Sequence, residues 1–214
     1  MRATNIIMLG SLNKGKLTEY KALFKELPEL NFKALDEIVF NVTSLREAET
    51  GKTYEENAFK KGQLAHLAAK YPTISDDSGL EVDALEGRPG VFSDRYSVGE
   101  EKPGEARDAA NVRKLLAELK SVPKEKRTAR FVCTTLFFVE GVVLKSTGTV
   151  EGSILETPRG THGFGYDPVF LVKGTDKSMA EMAMDEKNRI SHRAKAFHEL
   201  MAQIKSKGVK LVRP

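Results

Sequence analysis

The chain has 214 residues, of which 40% are hydrophobic and 30% are charged. This balance is typical of a globular protein and excludes a disordered, fibrous or membrane-spanning chain. The formal net charge of +4 combines 34 Lys and Arg residues with 30 Asp and Glu residues. Because the two signs are interspersed, the pattern suits a small anionic ligand better than a nucleic acid, although a solvated basic surface explains the excess equally well.

The first predicted elements are a strand, a turn and a helix. Residues 5–10 form an apolar run suited to a short buried strand. Residues 14–27 carry apolar side chains at helical spacing, and Pro28 then ends the helix. A second strand is predicted near residues 38–42. The chain therefore begins with alternating strand and helix signals.

The next predicted elements are a helix and a strand that ends in a turn. Thr53 and Glu56 form a capping-box pattern, which predicts the start of a helix running to about residue 70. Residues 73–75 are short and strand-like. Residues 76–79, Asp-Asp-Ser-Gly, are predicted to break this strand and to place their side chains on a rim.

The remaining elements predict a mixed sheet. Residues 105–119 have the apolar spacing of a helix with one solvent-facing side. Residues 130–139 and 142–150 are rich in strand-forming residues and are separated by Glu-Gly, which is typical of an antiparallel hairpin. A glycine-rich loop follows, and the final helix is predicted over residues 191–208.

The first candidate site is the segment of residues 11–16, Ser-Leu-Asn-Lys-Gly-Lys, between the first strand and the first helix. A helix N-terminus presents unpaired N–H groups and a positive dipole end, which suit a phosphate chain. The spacing differs from that of a Walker A loop. Taken alone, the segment is explained better by an N-cap with two solvated lysines.

The second candidate is the acidic pair Asp76 and Asp77. Adjacent carboxylates repel unless a cation or a proton relieves them, and hard oxygen ligands suit Mg²⁺, which bridges to substrate phosphates. The competing structural explanation is an Asx-turn, in which the aspartates accept backbone N–H groups. Glu49 is a further candidate ligand, although alone it is explained better as a solvated loop acid.

The third candidate is the glycine-bounded segment of residues 163–168. Its aromatic residues can stack on a planar base, because glycine lets the backbone approach closely, and Asp167 can accept hydrogen bonds. A loop that packs Phe164 into the core is the structural alternative.

The fourth candidate is the basic cluster of residues 187–193. His192 and Arg193 are predicted in the first turn of the last helix, where positive charge opposes the helix dipole. This local cost favours a ligand-binding role for the cluster, together with Lys187. His192 alone would more often be a structural residue.

Five segments occur in order along nearly the whole chain. They are Ser11-x-Asn13-x-x-Lys16, Ser75-Asp76-Asp77-Ser78-Gly79-Leu80, Pro89-Gly90-Val91-x-Ser93-x-Arg95-Tyr96, Phe164-Gly165-Tyr166-Asp167-Pro168 and Lys187-Asn188-x-x-Ser191-His192-Arg193. Together they resemble the inosine triphosphate pyrophosphatase family, whose members act on non-standard purine nucleotides.

The resemblance implies an α/β fold with an elongated mixed β-sheet flanked by helices, and two lobes around a central nucleotide-binding cleft. It further implies dependence on Mg²⁺ and a homodimer. We expect a single nucleoside-triphosphate pyrophosphohydrolase domain over residues 1–214. The residues by themselves predict the mixed sheet, the phosphate-binding loop and the acidic turn.

The resemblance also implies roles for individual residues. Asp77 would be the general base and a metal ligand, and Lys16 would be the second catalytic residue. Glu49 would be the other metal ligand, with Glu47 as an alternative alignment. The implied substrate-binding residues are Ser11, Asn13, Lys14, Gly15, Lys16, Ser78, Phe164, Gly165, Tyr166, Asp167, Lys187, His192 and Arg193.

The corresponding hypothesis is hydrolysis of ITP, dITP or XTP to the monophosphate and pyrophosphate. Mg²⁺ held by Glu49 and Asp77, with Asp76 as a further candidate ligand, would neutralise the phosphates. Asp77 would orient or deprotonate a water that attacks the α-phosphorus, and Lys16 would stabilise charge on the leaving group.

Base selectivity is assigned to the last motif. Arg193 and His192 can donate hydrogen bonds to a 6-keto oxygen. The 6-amino group of adenine is itself a donor, so it could not accept these hydrogen bonds. ATP is therefore expected to be a poor substrate.

Two alternative functions stay open at this point. One is a related enzyme that acts on modified or pyrimidine triphosphates. The other is a nucleotide-binding protein without catalysis, against which the acidic pair argues, because acids beside a triphosphate gain nothing without a metal.

The expected location is the cytoplasm. The apolar run at residues 6–9 is too short for the core of a signal peptide, and no apolar run reaches the length of a membrane span. Cys133 is the single cysteine, and its apolar neighbours predict a core residue rather than a nucleophile. We expect a nucleotide substrate, no nucleic-acid or membrane partner, and a homodimer.

Overall fold

The structure, a computed structural model, describes residues 5–37 and 50–209. The chain divides into two compact units. Unit 1 comprises residues within Met1–Asp77, Cys133–Gly148 and His192–Pro214, and unit 2 comprises Ser78–Val132 and Thr149–Ser191. The strand predicted near residues 38–42, together with Glu47 and Glu49, lies outside the described residues. The assignment of the whole chain to one hydrolase domain stays a prediction.

The described residues form six strands and five α-helices, which alternate as far as the third helix and are followed by three strands and two helices. The strands are β1 (Ile6–Leu9), β2 (Asn31–Ala34), β3 (Thr73–Val82), β4 (Thr128–Val139), β5 (Val142–Ile154) and β6 (Phe170–Val172). The α-helices are α1 (Lys14–Phe24), α2 (Tyr54–Ala69), α3 (Arg107–Glu118), α4 (Met184–Ile190) and α5 (His192–Ser206). Over residues 5–37 and 50–209, no helix has both the length and the apolar character needed to cross a membrane.

The strands form a six-stranded sheet in the order β2-β1-β3-β4-β5-β6. Strand β1 pairs in parallel with both β2 and β3, whereas β6 pairs antiparallel with β5, with Ile154 opposite Phe170. Strands β4 and β5 are neighbours joined by residues 140–141 alone, and so short a connection requires antiparallel pairing. The sheet is mixed, which confirms the predicted α/β fold class.

The core of unit 1 brings α1 and α5 together. Ile7 and Leu9 of β1 are fully buried, as expected for a strand with parallel neighbours on both sides. Phe24 of α1 packs edge-on against Phe197 of α5, with ring centroids 5.1 Å apart. These contacts pack the C-terminal end of α1 against α5. The predicted site residues Lys16 and Arg193 lie in the first turns of these two helices.

The core of unit 2 fixes α3 and the segment that leads into β6. Leu115 of α3 is buried in the same apolar cluster as Phe131 and Phe170, whose ring centroids are 4.5 Å apart. The apolar side predicted for residues 105–119 is therefore the side that packs inward. This packing supports the glycine-rich loop that precedes β6.

The prediction that residues 76–79 form a turn is wrong. Strand β3 continues without interruption from Thr73 to Val82, and nearly all of its residues are buried. Asp76 and Asp77 do not need an Asx-turn, because each carboxylate is bound by a buried cationic side chain. Since successive side chains of a strand point to opposite faces, the two carboxylates lie on different faces of the sheet.

The other differences concern short elements and helix ends. Helix α1 ends at Phe24 rather than near residue 27, and turns continue to Leu30. The predicted final helix is confirmed as α5, whereas the helix α4 before it was not predicted, so Lys187 and Arg193 belong to different helices. Strands β2 and β6 were not predicted, because four and three residues carry too little periodicity to recognise.

Candidate active site

The loop between β1 and α1 is held by its own polar side chains. Asn13 is the N-cap of α1, and its Oδ1 accepts a hydrogen bond from the backbone N–H of Lys16 at 3.0 Å. The Ser11 hydroxyl accepts one from the N–H of Asn13 at 3.3 Å. The predicted N-cap is therefore confirmed, but the prediction of two solvated lysines is wrong for Lys16, which is buried and paired with Asp76. The first turn has no acidic residue, and its positive dipole end and its lysines remain suited to an anion.

A buried ionic cluster in unit 1 joins three of the predicted motifs. The Oδ2 atom of Asp76 accepts hydrogen bonds from Nε and Nη2 of Arg193, each at 3.1 Å, and forms an ion pair with Nζ of Lys16 at 3.2 Å. Nη1 of Arg193 donates to Oε2 of Glu19 on α1. All four side chains are buried. Two cations thus face two carboxylates, which keeps the cluster neutral.

The cluster keeps Asp76 ionised. Burial alone would raise its pKa, but the charges of Lys16 and Arg193 outweigh this effect and hold the pKa well below its ordinary value. Burial, together with the negative charge of Asp76, raises the pKa of the neighbouring Cys133 thiol to about 12. Cys133 is therefore a protonated core residue, as the sequence predicted, and Asp76 is committed to two cationic partners.

Asp77 has a separate set of partners, supplied by α2. Its Oδ1 pairs with Nζ of Lys61 at 3.1 Å, and its Oδ2 accepts a hydrogen bond from Nδ2 of Asn57 at 3.0 Å. Asn57 and Lys61 are four residues apart and so lie on one face of the helix. The sequence reasoning missed both residues. The available signal was their polar i,i+4 pairing within a helix that carries apolar residues around them.

The arrangement of Asp77 is compatible with a hard divalent cation. A carboxylate has about four lone-pair positions, and the two bonds from Lys61 and Asn57 use two of them. No group of three or more His, Cys, Asp or Glu side chains within residues 5–37 and 50–209 could hold a metal. Mg²⁺ commonly binds through one or two carboxylates and completes its shell with water and substrate phosphates. Asp77 fits such a partial site. Lys16 and Arg193 bind only Oδ2 of the Asp76 carboxylate, and among the described residues its Oδ1 accepts no hydrogen bond, so Asp76 stays a further candidate ligand.

The glycine-bounded segment forms a fixed loop in unit 2. Oδ2 of the buried Asp167 accepts hydrogen bonds from Nζ of Lys187 at 2.5 Å and from the backbone N–H of Phe164 at 2.9 Å. The Lys187 ammonium is also 5.5 Å from the centroid of the Phe164 ring. Gly163 has φ +77°, and a Cβ there would lie 1.9 Å from Oδ2 of Asp167, so this position requires glycine.

Two further residues hold this loop, and the sequence reasoning did not single them out for that role. The carboxylate of Asp108, on α3, accepts the backbone N–H of Gly165 at 2.8 Å. The Tyr166 hydroxyl donates to the backbone carbonyl of Ser93 at 2.9 Å. Burial raises the pKa of Tyr166, which keeps the phenol protonated as a donor. The half-buried ring of Phe164 is thus presented by a loop anchored at three successive residues.

The structure groups the predicted residues by unit. Unit 1 contains Ser11, Asn13, Lys14, Gly15, Lys16, Asp77, His192 and Arg193, and unit 2 contains Ser78, Phe164, Gly165, Tyr166, Asp167 and Lys187. Arg193 was predicted to donate to the base, but the bonds described above direct its guanidinium to Asp76 and Glu19. Its contact with a base stays a prediction, as does that of the buried His192.

The mixed sheet and its helices define an α/β protein, in which the loop before α1 is a candidate phosphate site and the anchored loop at Phe164 is a candidate site for a planar base. The chain belongs to the Ham1 family, whose model matches residues 7–203.

Named relatives agree with this assignment. The chain is 47% identical over 194 residues to the dITP/XTP pyrophosphatase of Bacillus subtilis, covering 90% of this chain and 93% of the relative. It is 43% identical over 211 residues to the dITP/XTP pyrophosphatase of Geobacter sulfurreducens, covering 95% and 98%. The solved Ham1 protein of Staphylococcus aureus is similar, with a TM-score of 0.76 and 37% identity, covering 94% of this chain and 99% of that one. These matches confirm the family resemblance drawn from the five motifs.

Proposed function

We propose that this protein hydrolyses non-standard purine nucleoside triphosphates such as ITP, dITP and XTP to the monophosphate and pyrophosphate. Membership of the Ham1 family and the named relatives support the hydrolysis of such nucleotides. Within the structure, the observation that carries the proposal is that the adjacent acids Asp76 and Asp77 have different sets of partners. Asp76 is bound by two buried cations, Lys16 and Arg193, which offset its charge and that of Glu19, whereas the described partners of Asp77 are one cation, Lys61, and the neutral amide of Asn57.

The phosphates are assigned to the N-terminal end of α1. The backbone N–H groups of Lys14 and Gly15 are among those that an α-helix leaves without an intrahelical partner. Lys16 carries three N–H donors, and its described bonds to Asp76 use two of them. The ammonium can therefore place a positive charge against the leaving pyrophosphate. Ser11 and Asn13 hold the loop beside this ammonium through the hydrogen bonds that their side chains accept from backbone N–H groups.

Asp77 is assigned the activation of water. Its carboxylate is held by Lys61 and Asn57, which fixes the direction in which a lone pair can accept a proton. Glu49 and Asp77 would hold Mg²⁺, which supplies charge neutralisation of the phosphates when it is bound. Phosphoryl transfer depends mainly on positioning and charge stabilisation, so a fixed carboxylate and a fixed ammonium are the contributions expected of the protein.

The base is assigned to the anchored loop of unit 2. The ring of Phe164 is half-buried. Asp167 accepts a hydrogen bond from the backbone N–H of Phe164, and the Lys187 ammonium lies over one face of the ring. A planar base can stack on such a ring without regard to its exact substituents. Discrimination between a 6-keto and a 6-amino group then depends on hydrogen-bond donors, for which Arg193 and His192 are the proposed residues.

Replacing Phe164 by Ala is expected to raise KM for ITP roughly tenfold, because stacking on one aromatic side chain is worth about 1–3 kcal/mol per base. The turnover number should change less than KM, since the phosphate residues are untouched. Steady-state kinetics with ITP measure both. The matched control is Phe92→Ala, which removes an exposed ring of unit 2 that lies beneath Arg95. An equal rise in KM for both variants would contradict the stacking assignment.

The substrate assignment is tested with ITP, XTP, GTP and ATP as a panel, each with and without Mg²⁺. We expect turnover of ITP and XTP in the presence of the metal and little turnover of ATP. Equal rates for ITP and ATP would contradict the proposed base selectivity. Tight binding of ITP without turnover would favour a nucleotide-binding protein, and turnover limited to pyrimidine or modified triphosphates would favour the other alternative.

The proposal also includes a homodimer in the cytoplasm, with no nucleic-acid or membrane partner. The support for a dimer is the family resemblance of the sequence motifs. Light scattering on the purified protein measures the assembly directly, and a monomer at the concentrations used for the assay would contradict this part of the proposal.

A further inference from the structure

Asn57 is a completely buried amide whose two ends serve different parts of unit 1. Its side chain is 0% exposed on the face of α2 that packs toward β3. Nδ2 donates to Oδ2 of Asp77 at 3.0 Å, and Oδ1 accepts the backbone N–H of Gly51 at 2.7 Å. A buried amide that makes both bonds has one permitted orientation, because exchanging its oxygen and nitrogen would break both.

The contact with Gly51 is unusually close. A Cβ at Gly51 would lie 2.7 Å from Oδ1 of Asn57 and 2.7 Å from Cβ of Glu56, so a side chain there would displace the segment. Gly51 is two residues after Glu49 in the sequence. Asn57 therefore ties the chain that follows one proposed metal ligand to the carboxylate of the other.

The geometry points to Asn57 as a positioning residue for hydrolysis, an inference that rests on the proposed function. The Asn57 amide fixes the orientation of the Asp77 carboxylate. It also fixes the position of the Gly51 backbone relative to that carboxylate. Lys61 already supplies the positive charge beside Asp77, so Asn57 is not needed for neutralisation. Its contribution is directional: without the Nδ2 donor, the carboxylate can turn toward Lys61 alone.

The first test is the nearly isosteric substitution Asn57→Asp, which retains an oxygen for Gly51, removes the donor to Asp77 and adds a carboxylate beside it; Asn57→Ala removes the donor without adding charge. We expect kcat per folded molecule for ITP to fall roughly 10- to 100-fold, because a small misplacement of a reacting group costs this much. KM should stay within about threefold, since neither the α1 loop nor Phe164 is altered. Asn57→Ala, which removes both bonds, should lower kcat at least as much.

Two controls separate positioning from general loss of packing. Ser75→Ala removes a buried bond between the same strand and helix, in which the Ser75 hydroxyl donates to the carbonyl of Ala58 at 2.7 Å. Asn111→Asp makes the same chemical change at another buried amide, which accepts the N–H of Ser97 at 2.8 Å and donates to the carbonyl of Ser93. Both controls should lower the melting temperature and leave kcat per folded molecule within about twofold.

A second readout does not depend on activity. In the double variant Asn57→Asp with Asp77→Asn, the amide introduced at position 77 can donate to the carboxylate introduced at position 57. Its melting temperature should exceed the value obtained by adding the shifts of the two single variants, because contacting residues couple. The double variant should nevertheless have a kcat as low as that of Asp77→Asn, since the carboxylate is no longer at position 77.

The outcomes distinguish the inference from the function on which it rests. If the unaltered protein turns over ITP and Asn57→Asp keeps a normal kcat per folded molecule, or if the two substitutions add without coupling, the positioning role is wrong and the proposed function stands. If the unaltered protein hydrolyses none of the triphosphates, the proposed function fails, and the positioning role of Asn57 fails with it.

Discussion

Replacing Asp77 by Asn is expected to lower kcat for ITP by about 10²- to 10⁴-fold, the range associated with loss of a general base. The carboxylate is the group assigned to activate water, and an amide of the same shape cannot accept the proton. KM for ITP should change little by comparison. Stopped-time assays of nucleoside monophosphate, normalised to the folded fraction from circular dichroism, measure the effect.

Asp77→Asn also changes the local hydrogen bonding, so its folded fraction has to be determined. The carboxylate accepts from both Lys61 and Asn57, and the replacement amide can accept from only one of them. A modest fall in melting temperature is expected. A fully active and folded Asp77→Asn variant would remove Asp77 from the mechanism, whatever the behaviour of the other site residues.

Replacing Asp76 by Asn is expected to destabilise the fold by about 3–5 kcal/mol, the cost of breaking a buried ion pair by removing one partner. The amide leaves Lys16 and Arg193 facing Glu19 alone, so a net positive charge stays in the interior of unit 1. Urea unfolding followed by circular dichroism measures the change. Asp76→Asn is thus expected to lower mainly the free energy of unfolding, whereas Asp77→Asn is expected to lower mainly kcat.

The matched control for Asp76→Asn is Asp83→Asn in unit 2. Asp83 also pairs with an arginine, at 3.0 Å from Nη2 of Arg130, but both side chains are partly solvent-exposed. Surface ion pairs contribute about 0–1 kcal/mol, so the control should unfold nearly like the unaltered protein. Similar losses for the two variants would contradict the view that burial makes the Asp76 cluster critical.

The longest periodic elements could be predicted from the sequence. Thr53 caps α2 by accepting the N–H of Glu56, as the capping-box pattern indicated, and the helix ends at Ala69. The hairpin around Gly141 and the apolar face of α3 were likewise visible, because repeated spacing over ten or more residues averages out local exceptions. The family motifs then identified Asp77 and the loop at Phe164 as candidate site residues.

The partners that define the site could not be predicted in the same way. Arg193 reaches Asp76 and Glu19 across 117 and 174 residues of sequence, and no local pattern encodes such pairings. The acidic pair resembled a turn because isolated carboxylates favour Asx-turns. It is part of a buried strand because tertiary ion pairs with Lys16 and Lys61 replace those local bonds.

The most direct test of the central claim is hydrolysis of ITP in ¹⁸O-labelled water, with separation of inosine monophosphate, pyrophosphate and orthophosphate. Attack on the α-phosphorus predicts the monophosphate and pyrophosphate in equal amounts, with the label in the monophosphate. Label in pyrophosphate would move the attack to the β-phosphorus. Inosine diphosphate with orthophosphate would show cleavage of the terminal phosphate and would contradict the pyrophosphohydrolase assignment.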